Sequence, residues 1–131
     1  MLNNDYAKDE YWEDCNAVCL AWKQFSSGEN YRTPTTYSLE LLKEHADSDF
    51  IIDARNGFED DKEDVEWGFS FLIPNMSKTT CKHCIMIMNK ANDIQEEMDM
   101  WTNEFLKYFT VTHVATTEEA LTALENLRKA K

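Results

Sequence analysis

Apolar and polar positions alternate along the chain in blocks that predict strands and helices in turn. Four short apolar runs predict strands: "NAVCLAWKQF", "DFIIDA", "CIMIM" and "TVTHVA". An extended piece at about 6–12 is expected to pair with the first of them. Strands that alternate with helices predict right-handed crossovers and a mostly parallel, or mixed, sheet with helices packed on it. The chain is therefore expected to be an α/β protein in which residues 1–131 form a single domain.

Two amphipathic segments predict helices in the first half of the chain. Thr33 and Pro34 are the residue types of an N-cap and a first helical position, so a helix is expected to begin there and to run to about Ala46. A second helix is predicted within residues 55–74. Acidic residues near its start would suit the helix dipole, and Pro74 is expected to mark its end.

Two further helices are predicted in the second half of the chain. The third has apolar residues spaced by three and four, which are Ile94, Met98, Trp101, Phe105 and Tyr108. The last begins with a capping box formed by Thr116 and Glu119. Its apolar face is expected to contain Ala120, Leu121, Leu124 and Leu127.

Charge and composition narrow the classes of partner. The chain has 25 acidic and 13 basic residues, for a net charge of −12, and 43% of its residues are hydrophobic. A field of that sign repels phosphate backbones and anionic lipid, so neither nucleic acid nor a membrane is expected as a partner. The acidic start "MLNNDYAKDEYWED" lacks the apolar region of a secretory signal, and no run is long enough to span a membrane. We therefore expect a cytoplasmic protein with reduced cysteines.

The segment "KTTCKHCIMIMNK" contains a C-x-x-C pair, Cys81 and Cys84. Because the pair leads into a predicted strand, no helix dipole lowers a thiol pKa, which argues against a redox role. A structural zinc site needs four ligands. Cys15 and Cys19 would lie about 13 Å apart in an extended strand and could not share one metal ion. We expect no metal and no cofactor, with Cys84 in the core and Cys81 more exposed.

Several stretches together resemble a known family. They are "AWKQF…NYR" with an amphipathic helix after it, then "FIIDARN", an acidic turn, Trp67 and Pro74. This order resembles small bacterial proteins similar to the STAS domain of sulfate transporters and anti-sigma-factor antagonists, in the sporulation-factor-like branch. The closing "FTVTHVATTEEALTAL" is similar to the last strand and helix of that group. The resemblance covers about Tyr6 to Leu127 and implies a STAS-like α/β fold.

The chain departs from that family at its regulatory site. Anti-sigma-factor antagonists carry a phosphorylatable serine after the central strand. The corresponding stretch here, "DARNGFEDDKEDVEW", contains no serine or threonine, so the resemblance does not extend to a kinase-operated switch. Asp60 and Asp61 either imitate a permanent phosphate in this stretch or cap a helix.

A small-molecule site, if the chain has one, is expected outside the carboxyl ends of the strands, where open α/β sheets bind ligands. The residues predicted there are Asp53, Arg55, Asn56, Asn89, Lys90 and Thr116. Arg55 and Lys90 are cations in an acidic protein, which suits an anion. Local pairing of Arg55 with Glu59 or Asp60 is the interpretation we favour, because such pairs need no ligand.

The candidate residues form no coherent catalytic set. Asp53 lacks the acidic pair that a receiver domain requires, His113 lies inside a predicted strand, and there is no phosphate-binding glycine loop. The leading hypothesis is a non-enzymatic regulatory or protein-interaction domain whose partner is another protein or a second copy of the chain. The alternative is a small-ligand or anion-binding domain that uses the carboxyl ends of the strands.

Overall fold

The computed structural model describes residues 1–24, 26–56, 61–88 and 95–129, without the side chains of residues 95–98. In this part of the chain, one sheet contains β1 (Leu2–Asn3), β2 (Ala7–Trp12), β3 (Ala17–Trp22), β4 (Asp49–Asp53), β5 (His83–Ile87) and β6 (Thr110–Val114). The spatial order of the strands is their order in the sequence. Strands β1 to β3 are antiparallel, and β3 to β6 are parallel. The expected α/β class with a mixed, mostly parallel sheet is confirmed.

The helical elements are α1 (Glu29–Glu44), α2 (Lys62–Trp67), a π-helical segment (Gly68–Leu72), α3 (Ile73–Met76), α4 (Gln95–Phe105) and α5 (Thr117–Lys129). A 3-10 turn at Glu13–Cys15 separates β2 from β3. The backbone keeps helical angles from α2 through α3, so these three pieces form one continuous segment, called helix 62–76 below.

Both prolines lie inside helices, which corrects the two boundaries predicted from them. Helix α1 begins four residues before Thr33, because Gly28 adopts a φ of 56° and turns the chain into the helix earlier. Pro34 therefore occupies the second turn of α1. Pro74 does not end its helix either. The wide π turn before it already alters the hydrogen-bond pattern that a proline would otherwise break.

The helices divide unequally between the two faces of the sheet. Because each parallel strand is added on the same side of the previous one, right-handed crossovers place α1, helix 62–76 and α4 on one face. Helix α5 covers the other face. The first core includes Leu20, Leu39, Phe50, Ile73, Met86 and Phe105. The second includes Cys19, Ile51, Ile85, Ile87, Ala120 and Leu124.

Two residues predicted on apolar helix faces lie at the surface instead. Tyr108 is 50% exposed and Leu121 is 40% exposed, whereas Trp101 and Phe105 are buried as predicted. Tyr108 falls in the turn after α4, which ends at Phe105, so the helical spacing no longer applies to it. Ile94 and the side chain of Met98 lie outside the described residues. Within the described chain, no helix has the length and apolar character needed to cross a bilayer.

One carboxyl group is buried beneath α1. Asp9 on β2 is fully buried, and its Oδ2 atom lies 2.7 Å from Ser38 Oγ on α1. Ser38 Oγ also lies 3.2 Å from the carbonyl oxygen of Pro34, and Asp9 Oδ1 has no partner. Burial raises the pKa of Asp9 to about 7, although the hydrogen bond with Ser38 acts in the opposite direction. Burying the ionised carboxylate of Asp9 in the core therefore costs free energy.

A second buried carboxylate joins several elements at the amino-terminal ends of the parallel strands. Asp49 Oδ1 accepts hydrogen bonds from the backbone N–H groups of Lys82 (3.1 Å) and His83 (3.0 Å). Its Oδ2 atom pairs with Arg128 of α5 through Nε at 3.1 Å and Nη2 at 3.0 Å. Arg128 also donates to the carbonyl oxygens of Cys15 and Asn16. This group, called the clasp below, ties the starts of β3, β4 and β5 to the end of α5.

Candidate functional site

The strand-end residues predicted as a site are brought together only in part. Arg55 forms a two-point ion pair with Asp53, through Nε to Oδ1 at 3.0 Å and Nη2 to Oδ2 at 2.7 Å. Its Nη2 atom also lies 3.3 Å from Thr117 Oγ1 at the start of α5. Arg55 therefore pairs with a local acid, but that acid is Asp53 and not one of the two expected from the sequence. Any pairing with Glu59 or Asp60 lies outside the described residues.

The other predicted residues have local roles or lie outside the description. Thr116 Oγ1 accepts a hydrogen bond from the N–H of Glu119 at 3.1 Å, and the Glu119 carboxylate accepts one from the N–H of Ala115. Thr116 thus caps α5 as predicted, whereas Glu119 bonds the N–H of Ala115 instead of that of Thr116. The cap engages the Thr116 oxygen. Asn56 is exposed. Asn89 and Lys90 lie outside the described residues.

The strand order bears on where a ligand site would form. The rule that places ligands at the carboxyl ends of strands depends on a crevice where the strand order reverses. The described sheet runs from β1 to β6 without a reversal. The described strands therefore provide no crevice of that kind. Residues 57–60 and 89–94 lie outside the described part of the chain.

A set of aromatic rings, which we call the aromatic ridge, lies near the carboxyl end of β3, on the face of the sheet that α1 and helix 62–76 cover. It comprises Trp22 at the end of β3, Tyr31 on α1, and Trp67 and Phe71 on helix 62–76. Trp22 stacks on Tyr31 with ring centroids 5.5 Å apart, and Trp67 stacks on Phe71 at 5.3 Å. Tyr31 meets Trp67 edge to face at 6.1 Å. Such offset and edge-to-face geometries are the favourable ones for aromatic pairs.

Charged groups fix the ridge from one side. The buried carboxylate of Asp64 accepts hydrogen bonds from the N–H of Gly28 at 3.0 Å and from Arg32 Nε at 3.1 Å. The Arg32 guanidinium also lies 5.3 Å from the centre of the Trp67 ring, which is a cation–π contact. Asp64 therefore joins helix 62–76 to the start of α1, and this junction holds the rings of Tyr31 and Trp67 in register.

The π-helical segment allows helix 62–76 to approach α4 closely. Gly68 has no side chain, and the ring of Trp101 packs directly against its backbone. Phe69 contacts the same Trp101 ring edge to face, with centroids 4.9 Å apart. Single π turns inside α-helices are frequent at functional sites. Here the segment supports the ridge from behind and directs Phe71 to the surface, where it is 41% exposed.

Replacing Gly68 by alanine is expected to lower the free energy of unfolding by about 1–3 kcal/mol, the range for overpacking a core. The residue has ordinary helical angles, so alanine would normally stabilise this position by up to ~1 kcal/mol. A Cβ atom, however, would lie 2.3 Å from Cη2 of the buried Trp101 ring. Urea unfolding measures the change. In a Trp101→Leu background the same substitution should be neutral or stabilising, and a gain of stability in the wild-type background would contradict the packing argument.

The space behind the ridge is small. A cavity of about 50 Å³ is lined by Leu20, Trp22, Tyr31, Thr35, Phe50, Ile52, Leu72, Met86, Trp101 and Phe105. An engineered protein cavity of about 150 Å³ is the size that admits benzene. The ridge is therefore a packed surface above a nearly filled core, and the cavity cannot hold a metabolite of ordinary size without rearrangement.

The cysteines do not form a reactive site. Cys84 is 1% exposed and Cys81 is 7% exposed, so Cys81 is the more exposed of the two, as expected, but it is also buried. Burial raises the pKa of Cys81 and of Cys19 to about 12, and it raises that of Cys84 as well. Thiols with such pKa values hold their protons at neutral pH and are poor nucleophiles. Among the described residues, no three His, Cys, Asp or Glu side chains are grouped to hold a metal ion.

The sequence contained part of the signal for the ridge. In the sequence, Trp22, Trp67 and Trp101 are more typical of core or helix-packing anchors than of a ligand cage. Trp101 is buried, whereas Trp22 and Trp67 are half-buried. The exposure of Phe71 depends on the π turn, which no helical repeat predicts. Comparison of the chain with models of known protein families, with characterised proteins and with solved structures gives no significant match.

Proposed function

We propose that the protein is a non-enzymatic, STAS-like domain that acts in the cytoplasm and binds another protein through the aromatic ridge. The observation that carries this proposal is the exposure of Phe71. Its ring stacks on that of the half-buried Trp67, which is itself fixed by the Arg32–Asp64 pair. Exposed aromatic surface rimmed by polar residues is typical of protein-binding sites. Glu63 and Glu66 are exposed one turn before these rings and supply such a rim.

The construction of the ridge supports an energetic role in binding. Tryptophan and tyrosine are enriched among the few residues that provide most of the affinity of an interface. The rings here are already fixed by Asp64, Arg32 and Trp101, so little conformational entropy is lost when a partner covers them. The acidic rim and the net charge of −12 favour a partner surface that presents Lys or Arg beside an apolar anchor.

Binding of a small anion at the strand ends has less support. Arg55, the one of the two predicted strand-end cations that lies in the described part of the chain, has its guanidinium in a two-point pair with Asp53. An incoming anion would have to displace that carboxylate or share Arg55 with it, and like charges at such a distance repel. The ridge requires no comparable rearrangement.

Phe71→Ser is expected to abolish capture of the physiological partner. Met100→Ser is the matched control, because Met100 is 40% exposed and Phe71 is 41% exposed, but Met100 lies on α4 outside the ridge. Each variant would be crosslinked in cells of the source organism and the captured proteins quantified by mass spectrometry. The loss of a central aromatic anchor costs about 2 kcal/mol or more, which is roughly 30-fold in affinity.

The result is informative only if the variants are folded, which urea unfolding of each purified variant establishes. We expect at least one protein that wild type and Met100→Ser capture equally and that Phe71→Ser loses. If Phe71→Ser captures every protein that wild type captures, in the same amounts, the ridge is not the binding surface and the proposal fails.

A further inference from the structure

Strand β6 is an edge of the described sheet, and the backbone groups of two of its five residues point away from β5. The N–H of Thr110 donates to the carbonyl of Lys82 at 3.0 Å, and the carbonyl of Val114 accepts from the N–H of Met88 at 2.9 Å. Because strand residues alternate, the backbone groups of Thr110, Thr112 and Val114 face β5, while those of Val111 and His113 face outward. In the described chain, β6 pairs with β5 alone.

Strand β6 itself, as the structure describes it, lacks the sequence features that usually protect an edge strand. Proteins commonly blunt an edge strand by keeping it short or by placing lysine, proline or a bulge in it. The opposite edge follows that rule, because β1 has two residues. Strand β6 has five residues, "TVTHV", with no formally charged side chain at neutral pH and no proline. Four of the five are the β-branched residues that favour strand pairing.

The segments on either side of β6 in the sequence carry exposed apolar side chains. Leu106 and Tyr108, in the turn that leads into β6, are 54% and 50% exposed. Leu121, on α5, is 40% exposed, and α5 contacts β6. His113 does not obstruct the edge, because its ring is held toward α4 by Thr102 Oγ1 at 2.8 Å. The edge therefore offers outward-facing backbone hydrogen-bond groups, and the segments before and after β6 carry exposed apolar side chains.

We propose that the chain forms a homodimer in which β6 pairs antiparallel with β6 of a second copy, with Thr112 on the two-fold axis. In this register Val111 lies opposite His113 of the second copy. Each such pair exchanges two backbone hydrogen bonds, and the two-fold axis repeats the pair, so four bonds use all the outward groups of both strands. Thr112 then faces its own copy in a non-hydrogen-bonded position, where Cα atoms approach to about 4.5 Å.

A second copy fits this edge better than a charged partner does. Each chain carries a net charge of −12, yet the paired strands bring no acidic side chain into contact. The remaining repulsion is long-range, and salt screens it with a Debye length of about 8 Å at physiological ionic strength. The dimer is therefore expected to tighten as salt is raised, which is the opposite of an association driven by opposite charges.

Amide hydrogen exchange of the wild-type protein tests the register directly. At ~100 μM protein, where a micromolar dimer is largely formed, the amides of Val111 and His113 should exchange slowly. On dilution they should become fast, while those of Thr110, Thr112 and Val114 stay protected by β5. If Val111 and His113 exchange rapidly at all concentrations, and sedimentation shows a monomer throughout, the proposal is overturned.

A charge-exchange experiment tests the two-fold position independently. Thr112→Lys and Thr112→Glu each place like charges face to face, so each variant alone should sediment as a monomer. An equimolar mixture of the two should recover the dimer, because opposite charges then meet across the axis. A Phe71→Ser variant, which alters the aromatic ridge, should dimerise as wild type does. Dimers of both single variants would exclude this register, and if neither variant folds, the exchange measurement on wild type decides.

Discussion

Asp49→Ala is expected to lower the free energy of unfolding by about 3 kcal/mol, because two backbone N–H groups lose a charged acceptor and the one-third exposed Arg128 loses its counter-charge. The substitution removes the carboxylate that receives Arg128 and two backbone N–H groups. Arg128 would keep its bonds to the carbonyl oxygens of Cys15 and Asn16 but lose its counter-charge. The start of β5 would lose both side-chain acceptors at once.

Urea unfolding of three variants distinguishes the clasp from an ordinary ion pair. Lys129→Ala is the control, because Lys129 pairs with Glu125 on the same helix but both side chains are about 70% exposed. That variant should change the free energy of unfolding by no more than ~0.5 kcal/mol. Asp49→Ala and Arg128→Ala should each lower the free energy of unfolding strongly. The double variant should lower it by less than the sum of the two single changes. A change below about 1 kcal/mol for Asp49→Ala would mean that the clasp is not structural.

Asp9→Asn is expected to stabilise the protein at pH 8. It should also remove the part of the pH dependence of stability between pH 4 and pH 7 that arises from Asp9. The neutral acid can donate its proton to Ser38 Oγ while Ser38 donates to the Pro34 carbonyl. The ionised acid cannot, because Ser38 has one proton and must turn it toward the carboxylate. An asparagine amide can donate to Ser38 in the same way as the neutral acid, without titrating.

The sign of the pH dependence follows from the direction in which folding moves the pKa of Asp9. That pKa rises from 3.8 to about 7 on folding, so the native state binds this proton more tightly than the unfolded chain does. The effect of Asp9 on stability is most favourable below about pH 4 and is lost as the pH rises through 7. The full loss is of order 4 kcal/mol, because each tenfold difference in proton affinity between the two states corresponds to about 1.4 kcal/mol.

The measurement is a set of urea melts of wild type and Asp9→Asn at pH 5, 6, 7 and 8. The difference between the two proteins isolates Asp9 from the other carboxylates, which titrate in both. That difference should grow with pH in favour of the asparagine variant. A difference that is constant over this range would show that Asp9 does not titrate there. Ser38→Ala should keep the pH dependence, because the hydrogen bond from Ser38 lowers the pKa of Asp9.

The apolar runs located the parallel strands because strands buried on both faces must be apolar throughout. "CIMIM" and "DFIIDA" predict β5 and β4 for that reason, and no bound of either strand differs from the prediction by more than one residue. The helix starts were less predictable. Thr33 and Pro34 have the chemistry of a helix start, but Gly28 with positive φ begins α1 earlier, and one proline does not outweigh the packing of α1 on β2 and β3.

The candidate site was harder to predict from the sequence. The strand rule identified Asp53 and Arg55 as neighbours, but not that they would pair with each other. The ridge depends on the π turn at Gly68–Leu72, where the chain departs from the 3.6-residue repeat on which helical patterns rest. Asp9 and Asp49 occupy positions in the sequence that look like ordinary surface acids. Their burial follows from contacts with Ser38 and Arg128, which are 29 and 79 residues away.

The sequential strand order has a consequence for how the chain reaches its native state. Since every strand pairs with its neighbour in sequence, the sheet can grow strand by strand while closing one short crossover at a time. Topologies dominated by such near-neighbour contacts fold faster than those built from distant pairings. The bonds from Arg128 to Cys15 and Asn16 span 113 and 112 residues, so they are among the last that this route forms. Contacts made after the transition state govern the rate of unfolding, so we expect the clasp to slow the unfolding of the native protein.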